Sequence, residues 1–203
     1  MTAADDVDVL RQPGGFGQVV LVTGHLTDEP TRFRSRFPEH AVPAVAERIE
    51  RTLTSWRFGE GDLLISGGAR GADLLAATIA RRMGATVWLL LGEPPAQFEK
   101  NSVAGGADEW IDQFRATMAD TPTWVLEDDW RVDGLQGGDD HDAVYVATNE
   151  WMLRVAVVQA DGRPLRVLAV WDGLEAEGPG GAADMVDAAR RMGADVTIVD
   201  PGR

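Results

Sequence analysis

Apolar residues fall along this chain in two rhythms. Short unbroken blocks occur at Gln18–Thr23 (QVVLVT), Leu63–Ser66, Thr86–Leu91 (TVWLLL), Thr123–Leu126, Arg166–Trp171 and Asp195–Val199. Such blocks predict strands, and their continuity predicts a sheet covered on both faces. Between them the apolar positions recur every three or four residues, which predicts helices. One runs over Glu39–Arg57, with Val42, Val45, Ile49, Leu53 and Trp56 in a stripe. The next carries Leu74, Leu75, Ile79 and Met83 and is closed by Gly84, and a third spans 106–119 with Trp110, Ile111, Phe114 and Met118. Two more cover 143–159 and 181–192, while 26–38, with Pro30 and Pro38, reads as a loop. ARRMGATV at Ala80–Val87 and ARRMGADV at Ala189–Val196 are two similar helix–Gly–strand joints, explained by cap chemistry without a duplication. Strand–helix alternation throughout predicts α/β architecture: a single doubly wound parallel sheet of about six strands, Rossmann-like. It forms one domain over 1–203, with 1–16 a flexible N-terminus. In such sheets ligands bind outside the carboxyl ends of the strands.

Two helices are entered from glycine-rich turns. The first is Ser66-Gly67-Gly68-Ala69-Arg70-Gly71-Ala72-Asp73 and the second Gly178-Pro179-Gly180-Gly181. A helix start leaves N–H donors free and carries partial positive charge, and glycine lets backbone approach a phosphate closely. Arg70 would add a forked contact. A pattern G-x-x-x-x-G-K-[ST] is absent, which excludes a P-loop NTPase. The turns have a plainer reading as tight corners that let helices pack. Two of them on one sheet favour a shared phosphate or ribose pocket, onto which Gly24 and His25 would open. Asn149, Asp172 and Gly173 are candidates for the sugar and base, although an Asn in a helix serves equally to bond a neighbouring loop. Trp171 is placed either to stack on a nucleobase or to pack in the core. Asp73 in the first turn of its helix offsets the helix charge.

Composition narrows the partners. The 203 residues are 44% hydrophobic, enough for a core, and the net charge is −14. A surface this negative repels phosphate backbones, so nucleic acid is not an expected partner. Cysteine is absent, which removes disulfides, thiolate catalysis and cysteine-ligated metals. His25, His40 and His141 are too scattered for a metal site, and no cofactor is expected. No signal peptide or membrane-spanning run is visible, so the expected location is cytoplasmic. The stretch 127–142 holds seven acids against Arg131. It reads as a solvated surface loop, or a mobile lid, rather than a calcium loop.

SGGARGAD at Ser66–Asp73, followed by an Ala/Leu-rich helix, resembles the SLOG superfamily. That group includes the Lonely Guy phosphoribohydrolases, DNA-processing protein A and nucleotide-sensing domains. The resemblance continues through Val20–His25 (VLVTGH), Phe98 with Ser102-Val103, Trp110–Phe114, Asn149–Leu153 (NEWML) and Trp171–Gly181 (WDGLEAEGPGG), most of the chain. It implies a nucleotide-derived phosphate ligand: a nucleoside monophosphate, an ADP-ribose-like compound or a cyclic nucleotide. It also implies a homo-oligomer, a dimer paired through helices. Lonely Guy enzymes carry P-G-G-x-G-T-x-x-E. Pro179, Gly180 and Gly181 match, but Ala183 and Asp184 replace Gly-Thr, Asp187 replaces the glutamate, and Thr148 stands where the relatives have arginine. Binding or sensing is therefore the leading expectation. The alternative is a nucleoside 5′-monophosphate phosphoribohydrolase, with Asp187 as the catalytic carboxylate that stabilises the developing cation.

Overall fold

The computed structural model describes residues 9–126, 141–176 and 178–202. Six parallel strands form one sheet in the order β4-β3-β2-β1-β5-β6. They are β1 (Val19–Gly24), β2 (Leu63–Ser66), β3 (Thr86–Leu91), β4 (Thr123–Val125), β5 (Arg166–Val170) and β6 (Asp195–Val199). The chain builds outward from β1 to β4, then returns across the sheet to place β5 on the other side of β1. That reversal between β1 and β5 is a topological switch point, where the connections leave in opposite directions and open a crevice.

The continuous apolar strands have two faces to satisfy. Val20, Val22, Leu64, Val87, Leu89, Leu91, Leu168 and Val170 point into one core. Helices α1 (Val42–Ser55), α2 (Ala72–Arg82) and α4 (Glu109–Asp120) supply the other half of that core. Val19, Leu21, Leu63, Ile65, Trp88, Leu90 and Val167 point into the second, against α5 (His141–Ala160) and α6 (Ala182–Arg191). Each such aliphatic side chain, fully buried, contributes about 1.5–3 kcal/mol. Trp88 is held edge-on between Phe16 and Trp124, at centroid distances of 5.5 and 5.1 Å.

The element boundaries depart from the periodicity in three places. The expected helix from Glu39 begins as a 3₁₀ turn at Glu39–Ala41, and the α-helix starts at Val42. Pro43 sits in the first turn, where its missing N–H is not needed. Between β3 and α4 the chain forms a short helix, α3 (Pro95–Phe98), followed by a π turn at Glu99–Val103. The third departure is the N-terminus, expected to be flexible through residue 16. Leu10 is buried in the second core, and Gln159, itself buried, fastens the segment. Its Oε1 accepts from Gly14 N–H at 2.8 Å, and its Nε2 donates to the carbonyls of Val9 and Gln12 at 3.1 and 2.9 Å. The acidic stretch lies outside the described residues, apart from the backbone of 141 and 142 in α5. No described helix is long and apolar enough to cross a membrane.

Candidate ligand-binding site

A cleft of about 310 Å³ opens at the carboxyl ends of β1, β2 and β3, under α5 and the loop that leads from β5 into α6. One wall is β1's end, with Gly24 and His25, and the loop that follows. Gly24 must lack a side chain, because a Cβ there would lie 2.6 Å from both Ala72 Cβ and the Val170 carbonyl oxygen. The loop after it is organised by Asp28. Its carboxylate accepts from Ser35 Oγ (2.6 Å) and from the backbone N–H of Arg36 and Phe37, and pairs with Arg32 at 3.4 Å. Burial alone would raise the Asp28 pKa, but these hydrogen bonds outweigh it and hold the group below the usual carboxylate range. Phe37 anchors the loop in the core, and Arg32 and Arg36 are thereby brought to the cleft.

Arg36 closes on Asp172, just beyond β5. Its Nε donates to Oδ2 at 2.8 Å and its Nη2 to Oδ1 at 2.7 Å, a forked pair. His25 Nε2 lies 3.1 Å from the same Oδ1. The guanidinium keeps the Asp172 carboxyl far below its usual range. Burial lowers the His25 pKa, against the opposing pull of its hydrogen bond to Asp172. Burial thus favours the neutral imidazole of His25, next to a carboxylate that Arg36 neutralises.

The two glycine turns do meet at this cleft: Gly67 and Ala69 line it from one side, and Gly178, Pro179, Gly180 and Gly181 from another. They differ in what their amides face. In the first turn Gly68 N–H donates to Ser66 Oγ at 3.1 Å, and Ala69 N–H to Asp73 Oδ2 at 3.3 Å. Gly67 N–H also supports the Asp73 carboxylate. The chain's own side chains thus occupy this cradle. Burial pushes the Asp73 pKa up to about 7, although those two amides work in the opposite direction. In the second turn Gly180 N–H donates to Asp184 Oδ2 at 2.8 Å, at the exposed end of α6. Gly180 has φ +79°, and a Cβ there would lie 2.7 Å from Tyr145 Cβ, so the turn is pressed onto α5. Asn149 completes the docking, its Nδ2 donating to the Gly180 carbonyl at 2.7 Å.

Other expected site residues fall outside the cleft. Arg70 is buried and turned away from it, donating to the carbonyls of Thr27 (3.2 Å) and Ala104 (2.6 Å) and to Glu29 (3.2 Å). It ties three loops together instead of offering a fork to a phosphate. Ser66 is buried within its own turn, Gly68 backs onto Leu91 and Phe114, and Gly71 onto the backbone of His25 and Thr27. Asp172 supports His25 and Arg36 from behind, and Gly173 faces open space. Trp171 donates through Nε1 to the Leu174 carbonyl at 2.8 Å and does not line the cleft. Asp187 has a side chain 63% exposed, 3.9 Å from Arg190, and borders a shallow groove between α5 and α6.

Several cleft residues had no motif to announce them. Arg32 and Arg36 come from a loop of mixed charge, whereas Phe98 and Ser102, already marked by the family resemblance, sit on the short helix and π turn. Ser102 Oγ lies 3.1 Å from Tyr145 Oη across the cleft. The π turn that carries Ser102 is not readable from periodicity, and only the family resemblance marked that residue. Among the described residues no group of three or more His, Asp or Glu side chains converges as a metal site requires.

No protein-family model matches the chain, and neither does any curated protein. Among solved structures it is similar to DNA processing protein A (DprA) from Streptococcus pneumoniae, at 14% identity and a TM-score of 0.40. The match covers 94% of this chain but only 60% of that one, so the chain spans less than two thirds of that protein's length. It is also similar to the Moco carrier protein from Chlamydomonas reinhardtii, at 13% identity and a TM-score of 0.36 over 95% of this chain and 92% of that one. The sheet order itself makes this a Rossmann-like α/β protein.

Proposed function

We propose that the cleft binds a nucleotide-derived phosphate ligand and that the protein is a binder or sensor of it. The observation that carries this reading is the second glycine turn at the start of α6, whose Gly180 amide is capped only by an exposed carboxylate and which meets His25, Arg32 and Arg36 in one cleft at the carboxyl end of the sheet. The volume of about 310 Å³ suits a small molecule. The phosphate is assigned to the second turn. Its N–H is held only by Asp184 at an exposed position, which an incoming anion displaces into solvent. Arg32 and Arg36 on the facing wall bring guanidinium groups to the cleft, each already paired with a carboxylate, Asp28 and Asp172. Phe98 and Met152 offer an apolar surface for a base.

The test is calorimetry with a panel of nucleoside monophosphates, ADP-ribose and cyclic nucleotides, together with mass spectrometry of whatever leaves the purified protein on denaturation. At least one of these compounds binds, and Gly180→Asp, which crowds Tyr145 and adds a negative charge, abolishes binding. Failure of the whole panel to bind overturns the reading. The phosphoribohydrolase alternative requires a carboxylate beside the glycosidic bond. Asp187 borders a different groove, so no observation favours that alternative over binding.

A further inference from the structure

Asp73 is the one acidic side chain of the first glycine turn, and phosphate binding at the second turn leaves it unused. It lines the cleft, yet it also holds the amides that a phosphate would need. A Cβ on Gly67 would come 2.8 Å from Asp73 Oδ2, so the carboxyl is pressed against the turn with no room for an anion between. Expelling it would strand two N–H groups, and leaving it there would set two negative charges side by side. A second phosphate subsite at this turn is thereby disfavoured on both counts.

What Asp73 lacks is equally informative. No arginine, lysine or histidine among the described residues pairs with it, and the influences on its ionisation are burial and two backbone amides. Arg70, three residues earlier, spends its donors on Thr27, Ala104 and Glu29. A carboxyl group in a small cleft without a cation is satisfied by hydrogen-bond donors that a ligand brings. A sugar's vicinal hydroxyls are such donors, and they match the two oxygens of a carboxylate.

We infer that Asp73 is a specificity-determining residue that accepts hydrogen bonds from the ribose hydroxyls of the ligand, making the first glycine turn a sugar subsite. This rests on the nucleotide reading above, with the phosphate at Gly178–Gly181 across the cleft. The ligand then lies with its sugar on Asp73 and its phosphate on the start of α6.

Calorimetry at pH 8 tests it. The four common ribonucleoside monophosphates are titrated first, and the tightest is then compared with its 2′,3′-dideoxy analogue. The wild-type protein prefers the ribonucleotide by about tenfold or more, as expected where a site built for a hydroxyl meets an analogue without it. Asp73→Asn brings that ratio to within about threefold while affinity for inorganic phosphate stays unchanged. Circular dichroism checks that the variant is folded, and Asp73→Ser takes its place if it is not. Equal affinity of wild type for the two analogues overturns the inference but leaves the nucleotide reading standing. So does a ratio that survives in folded Asp73→Asn. If none of the ribonucleotides binds, the nucleotide reading fails first and this inference with it.

Discussion

Arg36 and Asp172, 136 residues apart in sequence, meet through two parallel hydrogen bonds of 2.8 and 2.7 Å. Their side chains are only 7% and 13% exposed. Removing one partner leaves the other charged and desolvated. Asp172→Ala is therefore expected to destabilise the fold by about 3–5 kcal/mol in urea unfolding. Arg36 also holds the Asp172 pKa below its ordinary value of 3.8. A carboxyl depressed in the folded state contributes stability that is present above the unfolded value and lost as pH falls through the folded one. The Asp172→Ala penalty should accordingly shrink in acid. A penalty that is the same at pH 7 and pH 2.5 would contradict the pairing.

His25 titrates with the same sign, although here folding favours the neutral form. Burial sets its pKa below the ordinary 6.5, so the folded state prefers the neutral ring. Its contribution is full above the unfolded value and is lost as pH falls through the folded one. The imidazole signals of His25 in NMR are expected to titrate with a midpoint below 6.5. A midpoint above it would mean that Asp172, and not burial, controls the ring.

For Asp73 the sign reverses. Its pKa rises from 3.8 to about 7, so between those values the unfolded chain has ionised while the folded one still holds its proton. The stability that protonation gives is complete below the unfolded value and disappears as pH climbs through about 7. Asp73→Asn cannot ionise and should gain on the wild type steadily between pH 4 and pH 7. Denaturant titrations at pH 5 and pH 8 read this directly, and parallel pH curves would remove the effect.

Two glycines of nearly equal φ make a controlled pair. Gly180 and Gly193 have φ of +79° and +78°, but a Cβ at Gly193 meets nothing within 4 Å, whereas at Gly180 it meets Tyr145 at 2.7 Å. Gly193→Ala should cost only the conformational penalty, roughly 1 kcal/mol. Gly180→Ala should cost clearly more in thermal melts, because α6 must also draw back from α5. Equal costs would show that the turn is not pressed against Tyr145.

Arg70→Met tests the loop clamp. It leaves the carbonyls of Thr27 and Ala104 without a donor, and unpaired buried acceptors cost about 1–3 kcal/mol each. The expected result is lower stability, with nucleotide affinity changed far less than by Gly180→Asp. A variant of unchanged stability that loses phosphate binding would restore Arg70 as a phosphate ligand.

Much of the fold was legible because strands buried on both faces read as plain apolar blocks. Leu63–Ser66 and Thr86–Leu91 needed no context to be recognised. The alternation of elements located the crevice, and glycine next to a helix start located both turns. Side-chain direction was not legible. Arg70 follows two glycines and reads as a phosphate ligand, but its partners, Thr27 and Ala104, come from loops far off in sequence. Arg36 had no local signal, since its partner is set by the pairing of β1 with β5. Gln159 gave no warning that it fastens residues 9–14.

The reversal between β1 and β5 means that the cleft's walls are drawn from opposite ends of the polypeptide. His25 and Asp172, 147 positions apart, become neighbours only after the chain between them has folded. Contacts of such separation form late, since a large loop must close before they are rewarded. A ribosome-bound or clipped chain that stops before β5 has half a binding site, and occupancy by ligand would certify a completed molecule.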